Sequence, residues 1–144
     1  LVEVAGDLLV GLAALAQLDR ILPLARKVLG DKHPQVHMGY DIRAQSADEL
    51  GDHALAIASY RELLALREGA LGADDARTVD AAWQLEGLLR QQGGAAAADE
   101  LRARYIAPLL QAKADGLSEA QAAKRKDIIE TEREEARAAR TAAK

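Results

Sequence analysis

The chain has no cysteine. That excludes thiol nucleophiles, cysteine-based zinc sites and disulfides, and it leaves the redox compartment open. Phenylalanine and asparagine are also absent, and there is one Trp, one Met and three Pro. Positive charge is not in excess: the formal net charge is -4. A general nucleic-acid binder would carry a basic stripe, so nucleic acid is not an expected partner. Long apolar runs are missing too. The longest, Leu8 to Leu18, falls short of the ~20 residues a membrane helix needs. It also lacks the basic start and cleavage site of a secretory signal. The expectation is a cytoplasmic protein with no membrane contact. The first residue is Leu and falls inside a helical pattern, which points to a piece of a longer protein.

Ala and Leu supply most of a 49% hydrophobic content. Both are strong helix formers, while the β-favouring Val, Ile and Thr are sparse. A chain of 144 residues can bury one real core. The expected fold class is all-α.

The stretch "VLGDKHPQV" (Val28 to Val36) is answered 42 residues later by "ALGADDARTV" (Ala70 to Val79). At the same offset Leu29-Gly30 recurs as Leu71-Gly72, and Gly51 as Gly93. Ala14, Ala56 and Ala98 share one register position, and Leu22, Leu64 and Ile106 share another. A period in the range of about 20–50 residues signals stacked helix pairs. The units span about 1–30, 31–72 and 73–116.

Each unit reads as two helices. In the middle one, Pro34 opens a helix as a good first residue, and Gly51 stops it near Leu50. A second helix runs from about Asp52 to Ala70, with Leu55, Ala56, Tyr60, Leu63, Leu64 and Leu66 at helical spacing. Asp74 or Asp75 caps the next helix, which runs from Thr78 to Gln92. After Gly93-Gly94 the last helix of the third unit runs from Ala95 to about Lys113. The first unit is cut short: residues 1–8 read as the end of its first helix and residues 10–29 as its second. Pro23 and Pro108, late in second helices, should bend them. Ala14, Ala56 and Ala98 would let paired helices approach closely.

With Leu29-Gly30, His33-Pro34, Val36, Gly51, Ala56, Tyr60, Leu64, Leu71-Gly72, Thr78, Gln92-Gly93 and Ala98 in place, residues 9–113 resemble the kinesin-light-chain type of tetratricopeptide repeat, common in bacterial proteins. About two and a half repeats are covered. The resemblance implies an α-α superhelix whose first helices line a concave groove for a protein or peptide. Transferred by register, the groove positions are Met38, Asp41, Gln45, Asp48 and Glu49 in the middle unit, then Asp80, Trp83, Gly87, Arg90 and Gln91. The chain departs from the family pattern at Arg43, where Leu is usual, and at Arg102, where an aromatic is usual. It also lacks the asparagines that grip a peptide backbone and the basic clamp for a terminal carboxylate. These departures suggest a degenerate or terminal array.

Trp83 has two readings: an aromatic anchor on the groove, the residue type favoured at binding hot spots, or a Trp packed between adjacent helices. Asp41, Asp48, Glu49 and Asp80 would favour a basic partner by charge complementarity, or form an ordinary solvated face. His33 and His37 stand four apart like a metal pair. But His33 precedes Pro34 and is pushed out of the helical region, so the rings need not share a face. No metal or cofactor is expected. No catalytic constellation emerges either: no nucleophile elbow, Walker loop or dinucleotide fingerprint surrounds Ser46, Ser59, Ser118 or the glycines. Asp74-Asp75 and Asp99-Glu100 are adjacent in sequence and diverge on a helix. The chain does not read as an enzyme.

From Gly116 the sequence becomes dense in Ala and in both charge signs. Ser118 and Gln121 fit a capping box, and Leu117, Ile128 and Ile129 are the residues to pack inward. Residues 117–144 read as a charged capping helix whose outer face closes the stack. The alternative is a protruding helix that meets a partner or a second copy; homo-oligomers are open but not indicated. The functional expectation is a protein-interaction scaffold or regulatory module with Trp83 as its best anchor. The rival expectation is a segment that packs within a larger bacterial protein, such as a kinase or regulator, and has no free groove.

Overall fold

The computed structural model describes residues 2–144, with side-chain environments from residue 6 onward. Leu1 lies outside the described residues. Among the described residues every regular element is helical, so the chain is all-α. The main helices are α1 (Val2–Leu29), α2 (Pro34–Glu49), α3 (His53–Leu71), α4 (Ala76–Gln91) and α5 (Ala95–Leu101). A widened π turn (Arg102–Ile106) joins α5 to α6 (Ala107–Gln111). A 3-10 turn (Ala114–Gly116) then leads into α7 (Glu119–Ala142).

Local chemistry sets the ends of these helices. Gly30, Gly51, Gly72 and Gly93, evenly spaced along the chain, all have positive φ. Each follows a helix end, where a left-handed residue turns the chain and glycine does so without a Cβ penalty. At the starts, His33, Asp52, Asp75 and Ser118 are the N-caps, each accepting a backbone N–H with its side chain. Ser118 and Gln121 form the full capping box. Helices begin at Pro34, Ala76 and Glu119, the repeat spacing to within one residue. α7 therefore starts about one period after α4, as α4 does after α2.

Packing runs between sequence neighbours: α1 on α2, α3 between α2 and α4, α5 with the π turn against α4, and α7 on α4 and α6. Ala56 and Ala98 are fully buried, as close helix approach requires, whereas Ala14 is only half-buried. Gly39 serves the same purpose between α1 and α2: a Cβ there would meet Leu22 at 2.4 Å. Leu63, Leu85, Ile106 and Ile128 are the largest fully buried apolar side chains and mark the core from α3 to α7.

Three sequence expectations change. The first unit is one continuous helix, Val2–Leu29, without a break near residue 9. Gly11 lies inside it, packed against Leu50, and glycine alone does not end a helix that packing holds. The last second helix is not uniform. Pro108 removes one N–H and crowds the carbonyl four residues back, and the π turn over Arg102–Ile106 sits where that strain falls. Finally, Gly6–Leu29 is, as a helix, long and apolar enough to cross a membrane, with mean hydropathy 1.6. The unbroken run hid this because the helix admits scattered charges. Those charges engage the repeat: Asp19 pairs with Arg43 at 2.6 Å, and Arg26 pairs with Asp31 and Glu62.

Candidate functional site

A groove follows the exposed sides of α2 and α4 and ends against α7. Its first part, a concavity of about 330 Å³, is lined by Asp41, Gln45, Asp48 and Glu49 of α2, Tyr60 of α3, and Asp80 and Gln84 of α4. Its second part, about 390 Å³, shares Asp48, Tyr60 and Gln84 and continues past Trp83, Gly87, Arg90 and Gln91 to Arg102 and Glu132. Nine of the ten register-derived positions thus share one surface. Met38 does not line it; it projects elsewhere, 60% exposed.

The helix period explains the grouping. Residues three and four apart share a face, so Asp41, Gln45, Asp48 and Glu49 follow one stripe of α2, as Asp80, Trp83 and Gly87 do on α4. Asp41 accepts from Gln45 Nε2 at 2.9 Å and from Arg67 at 3.4 Å. Asp80 accepts from Lys124 Nζ at 2.8 Å. Asp48 faces His53 Nδ1 at 3.5 Å. Burial works to lower the Lys124 pKa, but the hydrogen bonds that its ammonium donates to Asp80 and Asp127 outweigh it and hold it above the ordinary lysine value.

Trp83 combines its two sequence readings. Its body packs against the core, half-buried. Its ring also lines the groove and lies 5.5 Å from the Lys124 ammonium, a cation–π contact. Arg90 is committed within the protein, donating to Glu86 and Asp99 at 2.9 Å each.

Several groove residues escaped the sequence reading. Tyr60 was legible as core, and its ring is core, but its hydroxyl reaches the groove floor. Lys124, Arg102 and Glu132 come from segments distant in sequence. Arg102 lies between the buried Glu86 carboxylate and Glu132, with contacts of 3.1 and 2.6 Å. Arg102 is therefore an ionic clamp of α4, the π turn and α7. Arg43 does similar work, joining α2 to Asp19 of α1 and to the Ser59 hydroxyl of α3.

The two histidines have separate tasks. His33 Nδ1 caps α2 by accepting from the Gln35 N–H, and His37 Nε2 bonds the Asp31 carbonyl at 2.6 Å. Among the described residues no three His, Asp or Glu side chains converge as a metal site would need. A third concavity of about 410 Å³ lies on the other side, between α3, α4 and α5, floored by Leu64, Leu85 and Leu89. It gathers no catalytic constellation. Comparison with protein-family models, curated proteins and solved structures gives no match for this chain.

Proposed function

We propose that this chain is a protein-interaction module of the tetratricopeptide kind, which holds an extended, basic segment of another protein along the α2–α4 groove. The observation that carries the reading is the groove's composition. Carboxylates from two helices run beside the half-buried Trp83 ring, on a surface held by buried helix packing. Acidic lining steers basic partners and sets register, while Trp is the residue type that most often anchors an interface. The module acts as a scaffold rather than an enzyme: its titratable groups line an open channel and are tied into inter-helix pairs.

The test is selection of displayed random peptides against the wild type and an Asp41→Lys, Trp83→Ala double variant, after circular dichroism shows equal helicity. Selected peptides are expected to be basic, to shift Trp83 fluorescence, and to bind the wild type at least about tenfold more tightly. Peptides without charge bias that bind both proteins equally would overturn the proposal.

A second reading has its own observation. On α1, Ile21 and Leu24 are 54% and 62% exposed, although their repeat equivalents Leu63 and Leu66 are buried. A bare apolar helix face supports packing against another helix, as in a segment built into a larger protein. This surface is separate from the groove, and the two readings are compatible.

A further inference from the structure

The two slots that flank α4 are filled differently. Between α4 and α7, Arg102 supplies a guanidinium that bridges Glu86 and Glu132. One repeat earlier the same position is Tyr60, facing the slot between α2 and α4. Carboxylates from both helices are present there as well: Asp41 and Asp48 from α2 and Asp80 from α4. Arg67 meets Asp41 and Lys124 meets Asp80, but neither cation bridges the carboxylates of the two helices as Arg102 bridges Glu86 and Glu132.

Tyr60 itself points to an occupant. The residue is 5% exposed, and its hydroxyl faces the concavity without a hydrogen-bond partner among the described residues. Burial and then the charges of Asp41, Asp80 and Asp48 push its pKa up to about 12. The phenol therefore stays neutral at ordinary pH and keeps lone pairs free to accept a donor.

We propose that the α2–α4 slot is a recognition site for one arginine side chain of the groove's ligand, held by Asp41, Asp48 and Asp80 with the Tyr60 hydroxyl accepting a guanidinium N–H. This rests on the groove reading above and names what the groove selects. The carboxylates stand too far apart to converge on one metal ion. A planar guanidinium with five donors spans such a spread, whereas an ammonium is a compact point charge. Asp80 already accepts a cationic donor, Lys124, at 2.8 Å, and Arg102 shows that the fold places a guanidinium between neighbouring first-helix positions.

The experiment titrates the whole chain with hexa-arginine, hexa-lysine and hexa-citrulline peptides. The Trp83 indole resonance and backbone amide shifts are followed by NMR. Wild type is compared with Asp48→Asn and Tyr60→Phe, and with Glu135→Gln at the far end of the groove as control. Hexa-arginine is expected to bind at least about fivefold more tightly than hexa-lysine, and hexa-citrulline not measurably. Asp48→Asn should weaken hexa-arginine about tenfold and Tyr60→Phe about threefold, with Glu135→Gln under about twofold. Equal weakening by Asp48→Asn and Glu135→Gln, or equal binding of lysine and arginine peptides, would overturn the arginine site while leaving an acidic groove. No shift at Trp83 or along α2 and α4 with either cationic peptide would overturn the groove reading itself.

Discussion

On its α7 side the helix stack is closed, and on its α1 side it is bare. α7 presents one fully buried apolar residue, Ile128, and holds the rest of its contact with charge: Arg102 to Glu132, Lys124 to Asp80, and Arg125 to the Ala112 carbonyl at 2.7 Å. Beyond Glu132 its surface is charged and solvated. α1 does the reverse. It pins itself to α2 through Leu15 and Leu22 and leaves Leu9, Val10, Leu24 and Val28 in solvent. A charged outer face stays solvated, while a bare apolar one favours packing against another surface. The two sides of one small molecule therefore differ in what their helix composition exposes to solvent.

The largest expected effect breaks the closed side. Ile128→Ala should cost about 2–4 kcal/mol, a lost core side chain plus its cavity. The matching Leu24→Ala on α1 should cost less than about 0.5 kcal/mol. Urea unfolding of the two variants measures the contrast, and similar losses would mean that α1 is covered in solution. Next comes Glu86→Gln. Glu86 is 3% exposed and serves both Arg90 and Arg102. Removing its charge leaves two arginines facing a neutral amide and should cost about 2 kcal/mol, moderated because both arginines are partly solvated. Between the two sides, Ala56→Leu should overpack the α2–α3 contact by about 1–3 kcal/mol, read as a lower urea midpoint.

A smaller effect appears with pH. Tyr60 and Tyr105 both have pKa values raised to about 12, mainly by burial, with nearby carboxylates adding to it. A raised native value means that the unfolded chain loses these protons first. Stability is therefore fully present below about pH 10 and declines as pH rises toward 12. Phenolate absorbance should show Tyr60 and Tyr105 titrating late, and Tyr60→Phe should remove one of these late steps and flatten the alkaline decline. The smallest expected change is at Lys124→Ala. It frees Asp80 and uncovers the Trp83 ring, so Trp83 fluorescence should become more accessible to the neutral quencher acrylamide with little change in stability.

Much of this was legible along the chain. The glycines at Gly30, Gly51, Gly72 and Gly93, the caps at Asp75 and Ser118, and the apolar register of α3 act within a turn or two. Local sequence carries them. The grouping of Asp41, Asp48, Asp80 and Trp83 on one surface was what the family resemblance implied when transferred by register. Less legible was α1, which read as two helices meeting near residue 9 but is one continuous helix. Tyr60 was read correctly as core and incompletely as chemistry, since a buried ring does not say where its hydroxyl ends.

The sequence by itself determined helices, turns and period, because backbone hydrogen bonds, capping and i, i+4 neighbours depend on residues a few positions apart. Only the tertiary structure decided that Arg102 reaches Glu132 and Lys124 reaches Asp80, pairs 30 and 44 residues apart. Those pairings depend on how α7 lies across α4. That is fixed jointly by the burial of Ile128, the path of the chain through the π turn and Pro108, and the arginine clamp. No single stretch of sequence contains all three.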